Sequence, residues 1–329
     1  MPAAIAPADW LSFVSREYLD GFVRGGGAAV KFVVPMDGGS GGAVSALVNR
    51  ARQDGYLVAS VDAAETRAHL IHEFFFRVAQ QIPWQQVASR LVERLAEEAG
   101  YDAAHTSRSG TAEPTIRGIA ESSGLDPAFV ALQLQPLLQD AVFRDRSLAR
   151  DFRVAMTHLC LAEIKPGTAG NQARDAIVAW LTGEVRTVSA VRPYNILSAI
   201  NRSNARHHLE SMLRFVRSVG VPGVLVTVDA SRVTVPRNPK DEKVFYGRVA
   251  MLDFYESLRQ FIDRTDRMEG LFMLVRADSA FLDDDPKQRG MAAYQALQFR
   301  IYDEVRDTAL VNPMAALIRL STTSSGGGS

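Results

Sequence analysis

Chemistry in this sequence concentrates at two places. The first is Asp37 to Gly42 (DGGSGG), a glycine-rich turn between an apolar β-branched run, Ala28 to Pro35, and a helical pattern over Ala43 to Asp54. A strand, a glycine-rich turn and a helix start together make an anion site. Bare backbone N–H groups point outward there, and the helix dipole adds positive potential. The second place is Asp229, which closes the apolar run Gly223 to Asp229 (GVLVTVD). An acid at the end of a buried strand can hold the divalent cation that bridges phosphate groups. The two places together point to a vestigial phosphate site built on Gly39, Ser40, Gly41 and Gly42, with Asp229 either its metal ligand or a helix-capping acid at a strand end.

The glycine turn departs from the phosphate-loop pattern G-x-x-x-x-G-K-[ST]. With Gly41 as the second glycine, Met36 holds the first glycine position, Gly42 the lysine position and Ala43 the hydroxyl position. The lysine is the point charge on the β- and γ-phosphates, and the hydroxyl is a Mg²⁺ ligand. Ala230 follows Asp229, where a carboxylate would polarise the attacking water. Loss of these groups removes most of what phosphoryl transfer needs.

Other chemistry-bearing residues have bland readings beside the sharp ones. His69, His72 and Glu73 have helical spacing for a metal site, yet Phe74 to Phe76 beside them favour helix packing. Asp278 and Asp283 to Asp285 can bind a cation, but a solvated acidic loop before Pro286 is the commoner outcome. Arg202, Arg206 and Arg214, with His207 and His208, make one stretch locally basic. Arg202 and Arg206, four apart, would share a helix face and could contact phosphate of a nucleotide or of DNA, but a solvated face or pairing with Glu210 is the commoner outcome. Cys160, the one cysteine, sits among Leu159, Leu161 and Met156 as a buried inert thiol.

The elements that must position the two main features alternate. A helix over Ala8 to Arg24 ends at Gly25–Gly27. Strands over Ala28–Pro35 and Tyr56–Asp62 alternate with helices over Ala43–Asp54 and Thr66–Gln81. From Pro83 to Asn204 only helical segments appear, with Thr106 to Thr111 a mobile loop. The alternation returns with a helix over Ala205–Val219, strands over Gly223–Asp229 and Leu271–Arg276, and helices over Arg248–Asp263 and Tyr294–Arg306. This predicts an α/β fold: a mostly parallel sheet flanked by helices, with a helical insertion. The expected division is core 1–82, insertion 83–204, core 205–321 and flexible tail 322–329.

Composition narrows the partners. The chain has 329 residues, 47% of them hydrophobic, with 37 Lys+Arg against 37 Asp+Glu. Zero net charge argues against binding nucleic acid through bulk charge alone. A single cysteine excludes an intrachain disulfide. No apolar run is long enough to span a membrane, and Met1 to Phe13 lacks the basic and apolar regions of a signal peptide. The expectation is a cytoplasmic protein with no membrane partner.

The order of segments resembles the ATP-binding proteins of bacteriophage-exclusion (BREX) systems, a P-loop NTPase family related to the AAA+ and STAND ATPases. The resemblance rests on Gly25–Gly27 before Val30–Val34, on Gly39-Ser40-Gly41, and on Gly55-Tyr56 before the second strand. It continues with Trp180-Leu181-Thr182-Gly183-Glu184 before Asn201, Arg202, Asn204 and Arg206, and with Gly220 and Gly223–Val226 before Asp229. Leu258–Asp263, Gly270–Phe272 and Tyr294–Arg300 complete it. The resemblance implies ATP and Mg²⁺ as cofactors, with Gly39, Ser40, Gly41 and Asp229 carried over to their site. Without the loop lysine and the second acid, it implies a degenerate, structural or regulatory subunit of an antiphage defence complex. Its partners would be a related ATPase, another defence-system subunit or copies of itself. AAA+-like folds place nucleotide at subunit borders, so Arg300 and Arg289 become candidates for an arginine offered to a neighbour. Two alternatives stay open. One is an ATPase active in an oligomer, using a displaced lysine such as Lys31. The other is a DNA-binding accessory module that uses the Arg202–Arg214 stretch.

Overall fold

A computed structural model describes residues 4–36, 41–102, 115–302 and 312–321. The chain forms two compact units, 1–81 with 221–329, and 82–220.

The first unit holds a five-stranded sheet of β1 (Ala29–Pro35), β2 (Leu57–Asp62), β3 (Val224–Asp229), β4 (Leu271–Arg276) and β5 (Leu317–Leu320). Its order is β2-β3-β4-β1-β5, and every pairing is parallel. The three inner strands read as unbroken apolar runs because both their faces are covered. All of β1 is buried, as are β3 and β4 up to their last residue. Helix α1 (Pro7–Val14), which continues as a π-helical stretch over Ser15–Val23, packs Trp10, Val14 and Leu19 into the core with Leu47 of α2 (Gly41–Gln53) and Phe272 of β4. Tyr18 stacks on Phe272 at 5.6 Å between ring centroids. The unit is completed by α3 (Ile71–Ala79), α10 (Arg248–Ile262) and α11 (Gln295–Tyr302).

Strand β5 escapes the sequence reading. Four residues, LIRL, are too short to display a period, and the strand exists because β1 offers it an edge, pairing Phe32 with Leu317 through Pro35 with Leu320. Ile5 then bridges Leu320 on the outer side and blunts that edge. The expected helix over Thr66–Gln81 is shorter, because the Thr66 N–H and the Ala63 N–H turn back to Asp62 and Asp229 carbonyls, which holds 63–70 in turns.

The second unit is helical: α4 (Trp84–Glu98), α5 (Thr115–Ser123), α6 (Pro127–Leu138), α7 (Arg150–Ile164), α8 (Thr168–Thr182) and α9 (Ala205–Ser218). Helix α6 continues as a π-helical turn, Gln139–Phe143. The sequence reading placed 205–219 with the sheet; the compact units place it here instead. The reason lies in its apolar face. His208 and Phe215 of α9 pack on Phe152 of α7 at 6.2 and 6.1 Å, and Ser211 Oγ accepts the Ala149 N–H at 2.8 Å. The stretches 106–111 and 322–329, expected to be mobile, lie outside the described residues.

A candidate phosphate crevice at the carboxyl edge of the sheet

Two neighbouring strands in this sheet send their chains in opposite directions. The connection leaving β1 leads to β2 on one side, and the connection leaving β4 leads to β5 on the other. Between the carboxyl ends of such a pair lies the crevice where open parallel sheets take their ligands. β1 ends at that crevice with Pro35, and α2 begins at Gly41. Gly39 and Ser40 lie outside the described residues, while Gly41 and Gly42 form the first turn of α2. Helix α2 thus begins two residues before the expected Ala43. A Cβ placed on Gly42 would meet nothing within 4 Å among the described residues.

Asp229 is the last residue of β3 and stands in register with Asp62 of β2 and Arg276 of β4. In-register partners of a parallel sheet share a face, so the edge carries the row Asp62, Asp229, Arg276. Arg276 Nη1 donates to Asp229 Oδ2 at 2.7 Å, and both side chains are about a third exposed, 33% and 35%. Asp229 Oδ1 accepts the Ser231 N–H at 3.0 Å. Asp62 Oδ1 accepts the Ala64 N–H at 2.7 Å. Asp278, two residues beyond Arg276, accepts the Thr234 hydroxyl at 2.7 Å and the Phe281 N–H at 3.2 Å. The acids at this edge are engaged by the chain itself.

That arrangement does not fit a Mg²⁺ ion. Mg²⁺ demands near-octahedral oxygen ligands. Each oxygen of Asp229 already accepts a hydrogen bond, Ala43 has no hydroxyl, and a guanidinium already neutralises the carboxylate. Among the described residues no group of three or more His, Cys, Asp or Glu side chains is placed to hold a metal. Ala230 is 2% exposed and its N–H donates to the Arg276 carbonyl at 2.8 Å. The position that would carry a second acid is thus a buried one.

The other candidates disperse. Lys31, the displaced-lysine candidate, is 6% exposed within β1. Its Nζ donates to the Met314 and Ala315 carbonyls and lies 4.9 Å from the Tyr18 ring centroid. It is spent on holding 314–315 and is no phosphate ligand. Arg289 donates to the Val233 and Tyr246 carbonyls and lies over the Phe245 ring; it ties down the loop after β3. Arg300 on α11 pairs with Asp263 at 2.7 Å and is half exposed. Arg202 and Arg206 belong to the helical unit. Arg202 does not share a helix face with Arg206, because Asn204 folds 201–204 into a turn by accepting the Asn201 N–H and donating to the Ala199 carbonyl. His69 packs edge-on against Tyr246, and His72 against Phe76. Cys160 is fully buried, and burial pushes its thiol far up.

Sequence reasoning passed over Arg276. A signal was present: VLVTVD and LFMLVR are runs of six residues, each closed by a charge of opposite sign. Reading neighbouring strands at equal depth would have paired them.

No helix of the described residues is long and apolar enough to cross a membrane. A family model described as BREX system ATP-binding protein BrxC/D matches residues 144–326, more than half of the chain. The match takes in β3, β4, Asp229 and Arg276, and begins well after β1 and the glycine turn. No curated protein and no solved structure matches the chain. On the strength of that match, the chain belongs to the BREX system ATP-binding protein BrxC/D family.

Proposed function

We propose that this chain is a structural or regulatory subunit of a cytoplasmic phage-exclusion complex, with a nucleotide crevice that does not hydrolyse. The observation that carries the reading is the Asp229–Arg276 ion pair. It puts a guanidinium where a metal-holding acid would present its free oxygens. Gly42, Ala43 and Ala230 stand at the lysine, hydroxyl and second-acid positions, which agrees with it. The helix start at Gly41 offers what favours an ATP phosphate in general, the backbone N–H groups and positive dipole end of a first turn. ATP held there would supply a negative charge and a shape for a partner to read. The partner is a related ATPase, another subunit of the system or a second copy.

The test is calorimetry of ATP with the purified chain, with Mg²⁺ and with EDTA, beside a phosphate-release assay. The expected outcome is an ATP affinity within about 2-fold in the two conditions and no release above background. Mg²⁺-dependent binding accompanied by turnover would overturn the reading.

A further inference from the structure

The connection between α8 and α9 is long and carries little regular structure. It runs 22 residues, from Gly183 to Asn204, with one 3-10 turn over Arg192–Tyr194. Connections between packed helices are commonly about 2–8 residues, and much longer ones usually serve a function. This one is fixed in place. Asp151 of α7 accepts the Leu197 and Ser198 N–H groups and the Ser198 hydroxyl. Trp180 Nε1 donates to the Ser198 carbonyl, Arg150 donates to Asn195 Oδ1 at 3.3 Å, and the Tyr194 ring meets His158 at 5.5 Å. Arg192 stands just before this pinned stretch and Arg202 just after it. Both are exposed, as is Arg186, and neither Arg192 nor Arg202 has a side-chain partner among the described residues.

We propose that this loop is a contact surface for double-helical nucleic acid, gripped by its phosphate backbone. The charge of the unit favours a polyanion. From Arg144 to Arg217 the sequence holds 12 Lys and Arg against 6 Asp and Glu, and two of those acids, Asp151 and Glu163, are buried. A chain of zero net charge thus concentrates its cations here. The segments outside the described residues do not cancel the excess. Stretches 37–40 and 303–311 together carry three net negative charges, and Arg108 and Glu113 offset each other in 103–114. The other exposed side chains of the loop select nucleic acid over an acidic protein face. Thr187, Ser189, Asn195, Asn201 and Ser203 are exposed hydroxyls and amides, the neutral groups that accompany arginine at phosphate and sugar. Glu184 is the one acid of the loop. Leu197, 56% exposed, is its one large exposed apolar side chain, too little for the apolar centre of a protein interface. The Tyr194 ring is spent on His158, so the loop lacks the stacking platform that a single strand needs. The family description names ATP and not this contact, and the proposal stands whether or not the crevice binds ATP.

Fluorescence anisotropy of a labelled DNA duplex with the full chain, between about 50 and 200 mM salt, tests it. Micromolar binding is expected at the lower salt, weakening by about 40-fold at the higher, as about three phosphate contacts require. Arg192→Ala with Arg202→Ala should weaken binding by about 10-fold or more and flatten the salt slope by about two units. Arg192→Lys with Arg202→Lys keeps both charges and should keep the slope. All four side chains are replaced at exposed positions, so the melting temperatures of both double variants should match the parent. A single strand of the same length and a polyglutamate peptide should each bind at least about 10-fold more weakly than the duplex. No binding of the duplex at about 100 micromolar chain, a salt slope that the double alanine variant leaves unchanged, or equal affinity for the single strand or for polyglutamate would each overturn the proposal.

Discussion

Asp151 in the helical unit and Asp229 at the sheet edge are both aspartates beside an arginine, and they differ in almost everything else. The Asp151 side chain is 7% exposed. Its Oδ1 accepts from Arg150, while its Oδ2 accepts the Leu197 N–H at 3.3 Å, the Ser198 N–H at 2.8 Å and the Ser198 hydroxyl. Asp229 is 35% exposed and accepts one guanidinium and one backbone N–H. The first is a nail that fixes 195–200 onto α7, helped by Trp180 Nε1 donating to the Ser198 carbonyl at 3.2 Å. The second is a contact that water reaches and that an exchange of partners can undo. One residue type thus does structural work where water is excluded and stays adjustable where it is not.

The largest effect tests the packing that makes Asp151 rigid. Phe152, fully buried, touches Trp84, His208 and Phe215. Phe152→Ala should cost about 4 kcal/mol by denaturant unfolding. Asp151→Asn comes next, at about 3 kcal/mol, because backbone donors of 197 and 198 lose a charged acceptor in a dry site. A cost for Asp151→Asn no larger than that for Asp229→Asn would erase the distinction between the two aspartates.

Acid should attack the helical unit in two steps. His208, 2% exposed between Trp180 and Phe152, is pushed down to about 4 by burial, partly opposed by the charge of Asp151. The unfolded chain takes up that proton near the ordinary histidine value and the folded chain does not. Stability therefore falls as pH drops from about 6.5 to about 4, and His208→Leu should flatten that part of the curve. For Asp151, burial raises the carboxyl, but the Ser198 and Arg150 hydrogen bonds outweigh it and hold it below the ordinary value. Its stabilisation is present above the unfolded value and is lost as pH falls through the folded one. A further drop below about pH 4 is expected, absent in Asp151→Asn.

The contrast between the two aspartates was half legible in the sequence. β3 and β4 could be read with their ends because central parallel strands are apolar on both faces, and a charged residue stops each run. What pairs with what is a matter of sheet order, and order is set by crossovers between segments far apart in the chain. Arg276 therefore carried no meaning until β4 was seen beside β3. Asp151 carries no local signal, since its partners lie near residue 198. α6 was read as a helix, but which apolar residues face water depends on where α4 and α7 pack. Residues 205–219 have the amphipathic pattern of either unit, and distant partners such as Phe152, Ala149 and Trp180 decide between them.

The smallest effects on stability belong to the crevice, and they sharpen the claim that Asp229 is adjustable. Arg276→Ala should cost no more than about 1 kcal/mol, as a third-exposed pair is screened by water. It should at the same time give Asp229 a measurable affinity for Mg²⁺, absent from the parent, by calorimetry. Gly42→Lys should leave stability within about 0.5 kcal/mol, since a side chain there enters open space. Joined with Ala43→Thr, it should tighten ATP through the added point charge on phosphate. It should still yield no turnover, because the acid remains held by Arg276 and the buried Ala230 presents no carboxylate to the attacking water. Phosphate release by Gly42→Lys/Ala43→Thr well above background would show that Asp229 lets go of Arg276 when ATP arrives, and that the ion pair does not silence the site.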